Sequence, residues 1–347
     1  MRTTSSSGRI EVLDYLRGFF ILVIIVDHLW RWPNLFQYAS GRGELWVSAA
    51  EGFVIISGLL VGYIRGRKNL SKDVSYVSRK LVSRGLMLYI WSIITTVILA
   101  FLSWSLTFKS SVAYIPYSPF DWQHLLSDTI SLDYAHSLTH FLYLYAVFLI
   151  LAPIIVFLLR KNLWWVAAAA SVALYWYGLT ARIEWMQWQI IFYIPAIAGF
   201  YLDEILRFIR SLPKVLVWGC VAIAIASIVW SALLILPHPP GSYHTSYFTR
   251  EPLAPARVVL SFVWFAAIGW VFSRLQPWIH RFFGWLLLPF GTNSLTAYIV
   301  HTIPLMALSF FFPSTKSFIA NTLLTLGAII VTLLIVKIPG INKVIPR

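Results

Sequence analysis

The sequence predicts an all-α, polytopic integral membrane protein of about ten transmembrane helices, with its N-terminus and C-terminus in the cytoplasm. Its composition predicts this fold class, because 59% of the 347 residues are hydrophobic, only 12% are charged and 17 are tryptophan. Soluble proteins carry about twice that share of charged residues. A further observation, the placement of the basic residues, predicts the orientation.

Apolar runs of about 20 residues, the length that crosses a bilayer core, define the predicted elements. They cover residues 12–31, 45–64, 85–104, 138–159, 163–180, 187–205, 215–236, 256–275, 293–312 and 318–338. The fifth run is short, and Pro304 is expected to kink the ninth. Residues 276–290 are predicted to form a separate interfacial helix. The chain is read as one membrane domain, residues 1–347, made of tails at 1–11 and 339–347 and a bundle at 12–338.

The net charge of +14 raises the question of a nucleic-acid partner. With the N-terminus inside, however, nineteen of the 27 Lys and Arg residues fall in cytoplasmic segments and seven in outer segments, while Arg17 lies in the first span. This is the positive-inside distribution, so it predicts a multi-pass protein of the plasma (inner) membrane and no nucleic-acid partner. The single cysteine, Cys220, excludes an intramolecular disulfide and a CxxC metal site, and no metal site is predicted.

The first span carries four ionisable groups, Asp14, Arg17, Asp27 and His28. Each costs several kcal/mol in hydrocarbon unless it is paired or hydrated. The eleven residues from Arg17 to His28 return the two side chains to nearly the same helix face, about 16 Å apart along the axis. A long, thin ligand with an anionic end fits this spacing, and a coenzyme A thioester has that form. Asp14 is placed to hold the Arg17 guanidinium. The alternative is a polar seam that only joins this helix to its neighbours.

The second span carries Glu51 as its only acid, at a depth comparable with His28. A carboxylate that orients an imidazole completes a general base, and either Glu51 or Asp27 is a candidate for that part. Ser57 and Gly58 are expected to let this span approach another helix closely.

The opening span resembles that of the membrane acyltransferase superfamily in Leu13-Asp14-Tyr15-Leu16-Arg17-Gly18, with ten residues between Arg17 and His28. Asp27-His28, followed by residues 50–58, is similar to its OpgC branch, whose members succinylate osmoregulated periplasmic glucans. Later blocks agree in order and rough spacing. They are Leu144-Tyr145 with Pro153, residues 188–192, Arg250 with residues 255–257, and residues 291–295.

The resemblance implies an O-acyltransferase that moves a succinyl or acetyl group from cytoplasmic acyl-CoA to a hydroxyl of an extracytoplasmic glycan. His28 would be the general base, and Arg17 with Asp14 would contact the donor. The acceptor would be held by outer residues, namely Arg250, Arg257, Trp188 and Gln189. Acyl-CoA is a substrate here, and no permanently bound cofactor is expected.

Two other function classes remain open. A transporter or flippase could use the same buried charges as a proton or substrate pathway, although repeated halves and several broken helices, which would favour it, are not evident. A polyprenyl-linked glycosyltransferase would be expected to carry acidic residues in the first outer loop, where Glu44 is the only one. The expected partners are the glycan acceptor, acyl-CoA and the bilayer, and a homo-oligomer is left open.

Overall fold

The computed structural model describes residues 10–105, 121–243, 245–341 and 345, and within these ranges the regular structure is helical with no strand. The predicted N-terminal tail up to residue 9 and residues 106–120 of the predicted second outer loop, residues 105–137, lie outside the described residues. In chain order the α-helices are α1 (Glu11–Leu29), α2 (Gln37–Ser40), α3 (Ala49–Leu60), α4 (Val74–Ser105), α5 (Trp122–Ser131), α6 (Phe141–Arg160), α7 (Trp164–Ala181), α8 (Glu184–Trp188), α9 (Ile190–Phe200), α10 (Leu202–Ser211), α11 (Lys214–Ile235), α12 (Pro255–Thr292), α13 (Ser294–Val300), α14 (Thr302–Phe311) and α15 (Phe318–Val336). A π-helical segment, Val61–Lys68, continues α3.

The chain divides into two compact units, each assembled from separated stretches of sequence. The first unit comprises Met1–Gly43, Met87–Tyr143 and Leu275–Arg347. The second comprises Glu44–Leu86 and Leu144–Arg274. Helices α4, α6 and α12 contribute residues to both units.

The apolar helices identify a membrane protein. In the part of the chain that the structure describes, seven helices are long and apolar enough to cross a bilayer, or eight if a pair bent by 76° counts as one span. The seven are Ala49–Lys68, α4, α6, α11, α12, Ser294–Phe311 and α15, and the bent pair is Glu184–Phe200 with α10. Every predicted run falls on a helix, but α1, with its four charged residues, and the short α7 fall outside this set. The count of ten therefore stays a prediction, as do the sides of the termini.

One predicted boundary is wrong. The eighth run and the separate interfacial helix at 276–290 form a single helix, α12, of 38 residues. Pro277 and Pro289 lie inside it, because a proline removes only one backbone hydrogen bond and neighbouring groups in a membrane protein can compensate. At 1.5 Å per residue α12 is about 57 Å long, well beyond the roughly 30 Å of a hydrocarbon core.

The ninth predicted span is interrupted as Pro304 led us to expect. Helices α13 and α14 are separated by a single residue, His301. Pro304 has no N–H to donate to the carbonyl of Val300, so the helical hydrogen-bond pattern is broken at this turn. The interruption places a buried histidine where backbone and side chain can both form local hydrogen bonds.

Glycines allow backbones to touch within each unit. In the second unit a Cβ atom at Gly58 would lie 2.0 Å from the carbonyl oxygen of Phe192, and one at Gly62 would lie 1.8 Å from that of Ala196. Only glycine permits such an approach, so the predicted close contact of the second span is confirmed at Gly58 and has α9 as its partner.

Candidate active site

Helix α1 presents the predicted polar residues on one continuous element. It runs from Glu11 to Leu29, so Arg17 and His28 share a helix and nearly one face. Asp14 is buried and Arg17 is partly buried. The Arg17 end of α1 is fixed against α12, since a Cβ atom at Gly18 would lie 2.0 Å from the carbonyl oxygen of Leu287.

His28 meets a second histidine that was not predicted as a site residue. Its Nδ1 lies 2.8 Å from Nε2 of His301, at the α13–α14 interruption. His301 is fully buried, while His28 is partly exposed. The other nitrogen of His301, Nδ1, is hydrogen-bonded to the backbone carbonyl of Tyr298.

These contacts fix the protons on both rings when both are neutral. A carbonyl oxygen can only accept, so His301 Nδ1 carries a hydrogen and donates it to Tyr298. His301 Nε2 therefore holds a lone pair, and His28 Nδ1 must donate to it. The remaining nitrogen of His28, Nε2, then carries the lone pair, as a general base requires.

Tyr298 forms an aromatic wall beside this pair. Its ring lies 6.3 Å from that of His28 and 5.4 Å from that of His301. Its hydroxyl accepts a hydrogen bond of 3.3 Å from the backbone N–H of Phe141, at the start of α6. The rings of His140 and Tyr143 lie 5.0 Å apart at the same helix start.

Asp27, the neighbour of His28 in sequence, lies against a turn. A Cβ atom at Gly43 would be 3.3 Å from Asp27 Oδ2, and Gly43 has a positive φ of 71°. The Asp27 carboxylate thus packs against the Gly41–Gly43 turn, as the roughly 100° between adjacent helix positions would direct. Its expected part in orienting His28 stays a prediction.

Glu51 has partners other than the one expected from the sequence. Both the backbone N–H and the hydroxyl of Ser48 donate to Oε2, at 2.9 and 2.6 Å, as in a capping box. Oε1 accepts from Nε of Arg257, and both side chains are buried. Glu51 therefore neutralises Arg257 within the second unit, and its expected part in orienting His28 stays a prediction.

Arg250 is the exposed cation near this ion pair. Its guanidinium lies 5.7 Å from the centre of the Trp188 ring, which is fully buried. The loop that carries Arg250 is held at Leu253, whose N–H donates to Gln187 at 2.8 Å and whose carbonyl accepts from the Tyr175 hydroxyl at 2.7 Å. Arg257 and Glu51 cancel, so the net charge of the three groups is that of Arg250.

Gln189, predicted to contact substrate, has the geometry of a packing residue. It is fully buried, and its amide donates to the carbonyls of Ser171 and Met186 at 2.7 and 3.1 Å. Its oxygen accepts from the Ser171 hydroxyl at 2.7 Å. These bonds join α7 to the break between α8 and α9.

A family model described as OpgC protein matches residues 9–343. The chain belongs to the OpgC family. Family membership confirms the resemblance seen in the sequence and indicates a membrane acyltransferase that modifies glycans. No curated protein and no solved structure matches the chain.

In this OpgC-family chain His301 and Tyr298 were not predicted from the sequence. Both lie in the apolar run 293–312. The feature that could have identified them is a tyrosine and a histidine within an apolar run, with Pro304 three residues after the histidine. A cluster at the other end of α1 was likewise not predicted. There the Tyr15 hydroxyl lies 2.6 Å from Nδ1 of His280 and 3.3 Å from a carboxylate oxygen of Glu11. Gln276 donates to the same carboxylate at 2.8 Å. This cluster joins α1 to α12.

His136, in the predicted second outer loop, is buried and structural. The backbone N–H of Leu138 donates to its Nδ1 at 3.3 Å, which leaves the hydrogen on Nε2, 3.5 Å from the Ser103 hydroxyl. Burial lowers the pKa of His136 to about 4, so the ring is neutral near pH 7.

His124, in the same loop, is exposed and bonded to Asp121 at 2.6 Å. That bond raises the pKa of His124 and lowers the pKa of the Asp121 carboxyl, which also caps the N-terminus of α5. This pair therefore stabilises the start of α5.

Proposed function

We infer that this OpgC-family protein is an O-acyltransferase of the plasma membrane. It would transfer a succinyl or acetyl group from cytoplasmic acyl-CoA to a hydroxyl of an extracytoplasmic glycan. The single observation that carries the proposal is the pair formed by His28 and His301, because it leaves a basic lone pair on His28 Nε2, on the helix that also carries Arg17.

The chemistry follows from that lone pair. His28 Nε2 takes the proton of the acceptor hydroxyl while the oxygen attacks the thioester carbonyl. When the C–S bond breaks, the thiolate of CoA takes the proton from the His28 imidazolium, and the products are the glycan ester and CoA. His28 returns to its neutral form.

Arg17 would hold the donor. The guanidinium offers five N–H donors in a plane that matches phosphate and carboxylate oxygens. It lies about 16 Å along α1 from His28, a distance suited to an extended thioester whose anionic end is bound at Arg17. Asp14, one turn earlier, would hold the guanidinium in orientation.

Arg250 is the better candidate of the two outer arginines for an anionic or sugar ligand. Arg257 is buried and neutralised by Glu51, while Arg250 is exposed and lies over Trp188. We assign an anionic or sugar ligand to Arg250, with Trp188 packed against its guanidinium and Arg257 in support.

The test is acyl transfer by the purified protein in lipid nanodiscs, with labelled succinyl-CoA or acetyl-CoA and a periplasmic glucan as acceptor. His28→Ala should reduce the rate by about 10² to 10⁴, the usual contribution of a general base. His124→Ala is the matched control, since His124 is exposed and bonded to Asp121, and its rate should be unchanged.

Near-normal transfer by a well-folded His28→Ala protein would refute the mechanism. Calorimetry on the wild type adds a second criterion, because a transporter has no reason to bind a CoA thioester. If no acyl-CoA binds at concentrations well above those in cells, the donor assignment fails and the transport hypothesis takes first place.

A further inference from the structure

We propose that His301 is the positioning residue of this site: it accepts the Nδ1 hydrogen of His28 and thereby holds the lone pair of His28 on Nε2. The inference rests on the proposed function for its catalytic meaning. The geometry itself is independent of that function.

The tautomer of a neutral histidine is set by the hydrogen bond of its other nitrogen. His28 Nδ1 lies 2.8 Å from His301 Nε2, well within hydrogen-bond distance. An imidazole that carried its hydrogen on Nε2 would bring two lone pairs together at this contact. His301 thus selects the form of His28 in which Nε2 can accept a proton.

The contacts of His301 also keep its Nδ1 as the donor and its Nε2 as the acceptor. Its ring is fully buried, and Nδ1 donates to the carbonyl of Tyr298 in the preceding turn. Its backbone N–H donates to the carbonyl of Ala297 at 3.0 Å. The helix is interrupted at this residue, just before Pro304, so the imidazole is fixed by both of its nitrogens and by the backbone.

A neutral partner suits a base within the membrane region. In the hydrolase triads a carboxylate orients the histidine, but an ionised carboxylate in hydrocarbon costs several kcal/mol. An imidazole fulfils the orienting part without a charge. Both oxygens of Glu51, the carboxylate first considered for this part, are hydrogen-bonded to Ser48 and Arg257.

Two substitutions at position 301 separate positioning from local structure. In His301→Gln the amide oxygen can occupy the place of Nε2 and accept from His28. In His301→Asn the amide reaches only the place of Nδ1, so it can keep the bond to the Tyr298 carbonyl but offers His28 no acceptor. A merely structural role would be preserved by Asn, and a positioning role by Gln.

The first measurement is the rate of acyl transfer in nanodiscs. We expect His301→Asn to lose at least about 10-fold, by analogy with the loss seen when the hydrogen-bond partner of a metal-bound imidazole is removed. His301→Gln should recover most of the wild-type rate. Equal rates for Asn and wild type, or a lower rate for Gln than for Asn, would overturn the proposal.

The second measurement needs no activity. Solid-state NMR on protein labelled with ¹⁵N at its eight histidines distinguishes protonated from unprotonated ring nitrogens, and the spectrum of His28→Ala assigns the His28 signals. We expect a protonated Nδ1 on His28 in the wild type and in His301→Gln, and its loss in His301→Asn. A protonated Nε2 on neutral wild-type His28 would refute the positioning role.

The two measurements distinguish the possible failures. If the NMR signals behave as expected but the wild type transfers no acyl group, the positioning role stands and the proposed function fails. If the wild type is active but its His28 has the other tautomer, the function stands and the positioning role fails.

Discussion

The ion pair between Glu51 and Arg257 shows how burial changes the contribution of a charged side chain to stability. Each group alone would be expensive to remove from water, and pairing offsets this cost only when the remaining hydrogen-bonding atoms are also satisfied. Here the carboxylate accepts from Ser48 and Arg257, and the guanidinium also donates to the Phe248 carbonyl at 3.1 Å. The pair therefore stabilises the second unit chiefly because neither charge is left alone.

Removing one charge of this pair should lower the stability of the protein more than removing both charges. Glu51→Gln leaves Arg257 as a buried, uncompensated cation, and Arg257→Gln leaves the carboxylate, so each should lower stability by about 3–5 kcal/mol. Glu51→Gln combined with Arg257→Gln should cost clearly less than the sum of the two. Thermal unfolding in detergent, followed by tryptophan fluorescence, gives the double-mutant cycle. Additive losses would show that the two charges do not interact.

Single site residues were predictable from the sequence where an ionisable side chain interrupts an apolar run. Arg17, His28 and Glu51 stand out because ionisable groups are rare in apolar helices. Their partners did not stand out, because Arg257 is 206 positions from Glu51 and His301 is 273 positions from His28. A neutral histidine in an apolar run also gives a weaker signal than a charge, which is why His301 was overlooked.

At the scale of elements, glycine positions determine which helices touch. Gly58 and Gly62 are four residues apart and lie on one face of α3 and its π-helical continuation, where they meet carbonyls of α9. Gly199 of α9 completes the contact, since its Cβ atom would lie 2.0 Å from the carbonyl oxygen of Leu59. Backbone packing of this kind is the usual means of helix association in membranes.

A methyl group at this contact should have the opposite effect from one on an open helix. Gly58→Ala forces the α3 and α9 backbones apart and should destabilise the protein by about 1–3 kcal/mol, as overpacking does. Gly219→Ala, in α11, meets no atom within 4 Å and should be neutral or stabilising, because alanine favours a helix over glycine. The comparison is the thermal midpoint of each variant with the wild type. A Gly58→Ala protein as stable as Gly219→Ala would contradict the close packing.

The existence of the helices was predictable, whereas some of their limits were not. Long apolar runs each gave a helix, because satisfying the backbone in lipid leaves little alternative. The end of α12 was misplaced because the eighth run was limited to about 20 residues, the length of a membrane span, yet the helix continues through Pro277 to Thr292. A kink in the ninth run was predicted, since Pro304 removes a specific hydrogen bond, but its position at His301 was not.

At the scale of the whole molecule, the chain builds each of its units from distant segments. The first unit joins both ends of the sequence to a middle stretch, and the second fills the intervals. Hydropathy cannot predict which distant segments pack together, because it measures only how apolar each run is. The side of the membrane, in contrast, is encoded in sequence, because basic loops are retained in the cytoplasm.

The orientation can be tested with one cysteine on each predicted side. Ser71 is exposed and lies between Lys68 and Lys72, in a loop predicted to be cytoplasmic, while Ser137 is exposed in the predicted second outer loop. In a Cys220→Ser background, a membrane-impermeant maleimide should label Ser137→Cys in right-side-out vesicles and Ser71→Cys in inverted vesicles. The two preparations serve as controls for each other. Labelling of Ser71→Cys in right-side-out vesicles would reverse the orientation. It would also place the Arg17 end of α1 on the outer side, away from the cytoplasmic acyl-CoA that the proposed reaction requires.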